Sequence, residues 1–409
     1  MKKNTLMVAL KFAKKTPFYV FDEQGFLDNY QDLISTFRSV YPKYQVSYSY
    51  KTNYTPYICE LVKQLGGYAE VVSDMEYELA VRLGYSAKQI VYNGPAKGER
   101  LEEHIENSGI LNIDNLNEAK RVCRYASLHC KNKYKVGLRI NLDVGSDFIS
   151  RFGFAPESHD LDIAVGLLEK QDNISLIGLH CHISRARGLD AWSRRVAIML
   201  DAADRYIITG VPEYISLGSG MYGKMPESLE AQFGSNVPSY VDYAKAVLQP
   251  IAEHYKHTPI NEQPIVFTEP GTTIVARYLC FVTKVLNIKS IRERNMATVD
   301  GSYLNIGEIC TLKKLPISIL HQGAERERFD SIDIMGSTCL EQDLVYGDYN
   351  GDLGEGDILV FENVGSYSIV SKPQFIKPNC PMIAVDNELN IKEIMREETF
   401  NDVFSKFVF

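Results

Sequence analysis

The sequence predicts an α/β fold: a (β/α)8 TIM-type barrel with a second, C-terminal β domain. Three observations predict it. Short β-rich apolar runs alternate with helical stretches along the first two thirds of the chain, eight such runs fall between residues 44 and 270, and past residue 276 the helical windows give way to β-rich segments. Strands separated by helices pair in parallel, and eight of them suffice to close a barrel.

Taken in order, the opening TPFYVFD reads as a strand that the barrel does not need, so residues 1–25 are assigned to the β domain. The barrel is expected over 26–276. Its strands are YQVSYSYK (44–51), AEVVS (69–73), IVYNG (90–94), ILNID (110–114), KVGLRI (135–140), SLIGLHCHI (175–183), YISLGSG (214–220) and PIVFTEP (264–270). ISTFRSV, EYELAVRLG, NEAKRVCRYA and AIMLDAADRY carry the helical period between them. The β domain, 277–409, contains CFVTKVLNIKSI, MATVDGSYLN, LPISIL, IDIMGSTC and GDILVFENVGSYSIV.

At 409 residues, 45% hydrophobic and 23% charged, the chain can bury a large core and a smaller one. A net charge of −8 with scattered basic residues argues against nucleic acid or an anionic membrane as partner. No apolar run approaches membrane-spanning length, and MKKNTLMVALKFAKK lacks a long apolar core and a small-residue cleavage site, so a cytoplasmic protein is expected. The eight cysteines show no C-x-x-C spacing, which argues against structural zinc or a disulfide framework, and no metal site is expected.

The chemistry concentrates at strand ends. Alternation in YQVSYSYKTN puts Tyr44, Val46, Tyr48 and Tyr50 on one face and Gln45, Ser47, Ser49 and Lys51 on the other. With the bulky face against outer helices, Lys51 stands at the C-terminal mouth of the barrel, where a desolvated amine can attack a carbonyl. A solvated lysine ending an edge strand would read the same. LHCHIS sets His180, His182 and Ser184 on one face; a histidine there can lie flat on a ring, although an isolated one is more often a core residue. LGSGMYG offers Gly218, Ser219 and Gly220 for a phosphate after the seventh strand, or for a tight turn. TEPGT ends the eighth strand with Glu269, which can face a pyridine nitrogen or pair with an arginine. Together these residues are the inventory of a pyridoxal phosphate site.

The chain resembles the alanine-racemase-fold (fold type III) pyridoxal-phosphate-dependent decarboxylases, the group that includes diaminopimelate and ornithine decarboxylases. The matching stretches, in family order, are YSYKTN, EVVSDMEYELA, VYNGPAKG, NIDNLNE, LRINLDV, RFGF, LHCHIS, LGSGMYG, TEPGT, GSTCLEQD and ENVGSYS. The resemblance implies a decarboxylase with pyridoxal 5'-phosphate as cofactor, an amino-acid substrate, and a homodimer with shared active sites. It implies that Lys51 holds the cofactor as a Schiff base, His182 stacks on its ring and Glu269 pairs with its pyridine nitrogen. Arg139, with Glu70 and Glu76, would support that side of the pocket. Gly218, Ser219, Gly220, Gly271 and Thr272 would line the phosphate position, with Tyr367 reaching it from the β domain. Cys339 resembles the partner-contributed cysteine that returns a proton after carbon dioxide leaves, and Arg185, Glu341 and Asp343 are the candidates for contact with substrate.

The departures fall on the substrate side. Thr272 stands where the family has an arginine, Ser184 and Arg185 replace a Gly-Ser pair, Leu340 takes the place of an acidic residue, and VDGSYLN lacks the arginine of diaminopimelate enzymes. Two rival readings stay open: an amino-acid racemase on the same fold, against which Glu269 argues because alanine racemases place an arginine there, and a non-catalytic decarboxylase-like regulator.

Overall fold

The computed structural model describes residues 3–12, 15–145, 149–208, 210–234, 237–322 and 325–409. Strand β1 (Phe18–Asp22) precedes the barrel. Eight parallel strands then close on themselves: β2 (Tyr44–Ser49), β3 (Tyr68–Val71), β4 (Ile90–Tyr92), β5 (Ile110–Ile113), β6 (Tyr134–Arg139), β7 (Ile174–His180), β8 (Tyr214–Ser216) and β9 (Ile265–Thr268). Closure is made by β9 pairing back onto β2, with Tyr44 opposite Val266. The predicted barrel is present, with the bulky face of β2 outward: the Tyr44 ring packs 4.6 Å from that of Phe37 on helix Glu23–Val40. All the barrel strands but β6 are shorter than the sequence suggested. β2 stops at Ser49, and Lys51 sits in the single 3₁₀ turn Tyr50–Thr52, one step above the strand rather than at its end.

Two of the family-like stretches are helix starts. Ser73 caps helix Asp74–Arg82 by accepting from the Glu76 N–H, and Glu76 reaches back to the Val72 N–H at 2.8 Å. Asn115 caps helix Leu116–Leu128 in the same way, and Glu118 takes the Asp114 N–H at 2.8 Å. Each arrangement satisfies backbone donors that the first turn of a helix leaves over.

Inside the barrel a polar ladder replaces apolar packing. Tyr214 O–H donates to Asn112 Oδ1 (2.7 Å), Asn112 Nδ2 donates to Asn93 Oδ1 (2.8 Å), and Asn93 Nδ2 reaches both Glu70 (3.1 Å) and Glu269 (2.9 Å). The Tyr214 ring fits only because Gly137 and Gly178 flank it; a Cβ at either position would strike it.

Arg195, on helix Leu189–Tyr206, is fully buried and ties the loops after β7 and β8 together. Its guanidinium donates to the carbonyls of Leu217 (2.8 Å), Ser219 (3.0 Å) and Ile183 (3.2 Å) and lies 3.8 Å over the Trp192 ring. Burial lowers it to about 10, so it keeps its charge at neutral pH.

The second sheet runs through β10 (Leu279–Ile291), β11 (Arg294–Val299), β12 (Ile317–Leu320), β13 (Glu327–Met335), β14 (Leu344–Leu353), β15 (Ile358–Phe361), β16 (Met382–Val385) and β17 (Ile391–Met395). Its main order is β14-β13-β11-β10-β1-β16-β17, with β15 joining β10 to β12. The opening strand β1 lies between β10 and β16, antiparallel to one and parallel to the other. The chain divides into two compact units, Gln31–Tyr222 with Val237–Thr273, and Met1–Tyr30 with Gly223–Asn236 and Ile274–Phe409. The segment 223–236 therefore belongs with the β unit, unlike the sequence division at 276: Gln232 exchanges two hydrogen bonds with the Lys314 backbone, at 2.9 and 2.7 Å.

Replacing Arg195 with Met is expected to destabilise the fold by about 3–5 kcal/mol, because three buried carbonyls lose their donor together. Urea unfolding of the variant measures it.

Candidate active site

Lys51, Glu70, Asn93, Arg139, His182 and Glu269 line one cleft of about 250 Å³ at the C-terminal end of the barrel strands. Lys51 Nζ lies 2.5 Å from Glu70 Oε2, an oxygen that also accepts from Ser49 Oγ at 2.6 Å. With Asn93 on the other oxygen, Glu70 is held from three sides and aims the lysine. Arg139 pairs with Asp114 at 3.2 Å, and its guanidinium lies 4.7 Å over Phe152.

Glu269, 2% exposed, is the centre of the polar set. Its Oε1 accepts from Asn93 (2.9 Å) and Ser216 Oγ (3.0 Å), with His180 Nε2 also 2.9 Å away. Burial pushes this carboxyl up, but His180 and then Lys51 outweigh it and hold the group well below the usual carboxylate range. His182 is the reverse. Burial, then Lys51, lowers its basicity far below the usual value, and its Nδ1 accepts the Ser219 N–H at 3.2 Å. An accepting Nδ1 places the ring proton on Nε2. Nδ1 and Glu269 Oε2, 3.8 Å apart, are then two acceptors facing each other, and Oε2 is buried with no hydrogen-bond donor among the described residues.

The glycine turn is shaped by backbone need. Gly218 and Gly220 have φ of +61° and +108°, and a Cβ on Gly218 would run into the Cys181 carbonyl. Ser219 donates its N–H to His182, and Gly218 accepts the Glu269 N–H at 2.9 Å, so turn, histidine and carboxylate form one assembly. Gly271 lies against the Thr52 side chain, beside Lys51, where any Cβ would clash. Thr272, half-buried, opens the short helix Thr272–Val275, and Arg185 is exposed beyond Ser184.

In the β unit, Cys339 and Glu341 are exposed on the loop between β13 and β14. Asp343 corrects the sequence expectation of a substrate contact. It is buried, and its carboxylate is saturated by Ser302 Oγ (3.0 Å), the Tyr303 N–H (2.9 Å), and the Thr338 N–H and Oγ (3.1 and 2.5 Å). It braces the Cys339 loop and has no oxygen left for a ligand. Tyr367 is 45% exposed with a left-handed φ of +60°, a conformation that costs a bulky residue about 1 kcal/mol and that clusters at functional positions.

Sequence reasoning missed Asn93, Asn112, Ser216 and Arg195. Asn93 and Asn112 lie within the VYNGPAKG and NIDNLNE stretches that supported the resemblance; nothing marked Ser216 or Arg195.

A ring with a protonated nitrogen fits this cleft, because Glu269 Oε2 is a buried ionised acceptor lacking a donor. Gly218 and Gly220 leave backbone room for an anionic group, and Lys51 supplies an amine for a carbonyl. Fold and site together define a barrel enzyme of the pyridoxal type. The family described as "Pyridoxal-dependent decarboxylase, pyridoxal binding domain" matches residues 27–276, and the chain belongs to it. It is thereby one of the pyridoxal-phosphate-dependent amino-acid decarboxylases, and pyridoxal 5'-phosphate is its cofactor.

Among its relatives, a probable chloroplastic diaminopimelate decarboxylase of Oryza sativa subsp. japonica is 26% identical, over 98% of this chain and 81% of the relative. The diaminopimelate decarboxylase of Methanothermobacter thermautotrophicus is 24% identical, over 95% and 90%. The crystal structure of the Methanocaldococcus jannaschii diaminopimelate decarboxylase superposes with a TM-score of 0.85 at 24% identity, covering 99% of this chain and 94% of that one. No helix among the described residues is long and apolar enough to cross a membrane.

The two capping glutamates differ in charge balance. Glu118 has the buried Lys97 ammonium at 2.8 Å, whereas Glu76 has no ammonium at ion-pair distance among the described residues. Burial, with Glu70 adding to it, pushes Glu76 from 4.5 up to about 7. The folded state thus keeps a proton that the unfolded chain has lost, so this group reduces stability as pH rises from 4.5 to about 7. A Glu76→Gln variant lacks that loss. Its stability relative to wild type is expected to rise by on the order of 1–3 kcal/mol between pH 4.5 and 8, read by urea unfolding at both.

Proposed function

We propose that this chain removes the α-carboxylate of an amino acid or amino-acid derivative, as a homodimer whose sites combine the Lys51 cleft with Cys339 of the other copy. The observation that carries the reading is the ionised, donor-less Glu269 Oε2 buried in the cleft that Lys51 lines. Bound pyridoxal phosphate supplies an aldehyde for amines and a ring that takes up the electron pair left when a carboxylate departs. Lys51 Nζ would hold the cofactor, kept in place by Glu70, and would release it to the substrate's amine. Glu269 Oε2 would hold the proton of the ring nitrogen, which keeps the ring electron-withdrawing. Neutral His182 offers a flat face without adding positive charge. The turn of Gly218, Ser219 and Gly220, with Gly271, Thr272 and the Tyr367 hydroxyl, would receive the phosphate. The Cys339 thiol would return the proton to the carbon that lost its carboxylate.

The substrate half of the reading rests on what is missing. A distal ammonium in a dry pocket needs a carboxylate, and leaving it unpaired costs several kcal/mol. Leu340 cannot supply one, and Asp343 is spent on bracing its own loop. A modified, conjugated or carrier-linked amino acid suits this site better than free ornithine, lysine or diaminopimelate, with Arg185 and Glu341 the remaining exposed candidates for contact with it.

Two experiments test these points. Borohydride treatment of the yellow holoenzyme is expected to fix the cofactor on the peptide containing Lys51, and carbon dioxide release across a substrate panel to give kcat/KM below about 10⁴ M⁻¹s⁻¹ for the three free amino acids. Label on another lysine sinks the Lys51 assignment; a higher value for any of the three sinks the substrate class alone. Mixing inactive Lys51→Ala and Cys339→Ala proteins under subunit exchange is expected to restore up to about a quarter of wild-type activity. No recovery despite demonstrated exchange rules out the shared site.

A further inference from the structure

The β unit contains a second polar cleft, of about 40 Å³, walled in part by Lys372, Lys377, Asp300, Ser337, Thr338 and Cys380. The Lys372 ammonium is buried with no hydrogen-bond partner among the described residues, and the Tyr19 ring centroid lies 5.6 Å from it. Lys377 Nζ donates to Ser337 Oγ (2.9 Å) and to the Asp300 carbonyl (3.3 Å), both neutral.

The neighbouring acids are already committed. Asp300 takes Thr16 Oγ (2.5 Å), Thr283 Oγ (2.6 Å) and the Lys284 N–H (2.9 Å) on its two oxygens. Glu398 takes the Asn379 N–H (2.8 Å), Asn379 Nδ2 (2.9 Å) and Gln374 Nε2 (2.6 Å). Cys380 is no counter-charge either, since burial pushes its thiol up to about 11. Two ammonium groups therefore line one cleft with no carboxylate within ion-pair distance of either among the described residues. An unpaired buried ammonium is costly, and a mobile anion is the simplest group that relieves it.

We propose that this cleft binds a small anion, a halide or the carboxylate of a small acid, between the Lys372 and Lys377 ammonium groups. The volume admits one such ion and excludes an amino acid. Because Ser337 and Thr338 form one wall, a bound anion would stiffen the loop that leads into Cys339. The proposal does not depend on the reaction assigned above.

Crystals of the holoenzyme soaked in sodium bromide are expected to show an anomalous peak within about 3.5 Å of Lys372 Nζ, displaced when formate competes if the site also takes carboxylates. The peak should vanish in Lys372→Met crystals. In solution, bromide at 100 mM and matched ionic strength should raise the wild-type Tm by about 2 °C more than that of the variant. Should Lys372→Met fail to fold, Lys372→Gln replaces it, and the wild-type soak is decisive alone. A wild-type map with other halide sites filled and this one holding only water overturns the proposal. So does a peak that persists in the variant, which marks an adventitious ion only.

Discussion

Burying an ionised Glu269 at the mouth of the barrel imposes much of what surrounds it. A carboxylate removed from water needs donors, and Asn93 and Ser216 converge on a single oxygen to provide them, with His180 Nε2 2.9 Å from the same atom. Asn93 can be so placed only because Asn112 and then Tyr214 hold it from below. Tyr214 in turn requires two glycines on neighbouring strands. The demand for one solvated charge thus propagates down the barrel axis as a run of polar contacts where an ordinary barrel would pack branched aliphatics. The other oxygen, deliberately unserved by the protein, is what makes the site receptive.

The fold was legible in the sequence because barrel strands and the helices between them differ in period, and YQVSYSYK, KVGLRI and PIVFTEP each carry enough apolar residues to show it. Lys51, His182 and Glu269 were legible because chemistry-bearing types at strand ends are few. Asn93, Asn112 and Tyr214 were not: their meaning lies in a ladder across β4, β5 and β8, between residues as far as 102 positions apart, and an asparagine reads alike in a ladder and in a turn. The segment 223–236 was placed with the barrel because chain order puts it between two barrel strands. Its allegiance is decided by hydrogen bonds to residue 314, which no local pattern announces. Asp343 looked like a ligand because it closes the motif around Cys339, and became a brace once its four donors were seen.

The helix starts at Ser73 and Asn115 show one local solution used twice with different electrostatics. In both, a glutamate in the first turn completes the cap. Lys97 neutralises one of them, and the other has only backbone, a distant lysine and a second acid for company. The same capping geometry can therefore hold an ion-paired glutamate at one strand end and a titrating one at another.

Arg195 has a reach beyond the three carbonyls it holds. It has no ion-pair partner among the described residues, and its field extends through the low-dielectric wall to Cys181 and His182, opposing the burial that raises the first and adding to what lowers the second. It stands behind the same turn that Gly218 and Gly220 shape. A dianion docking there would meet a positive potential from a residue that it never touches, one that surface salt screens poorly because the charge lies beneath the fold.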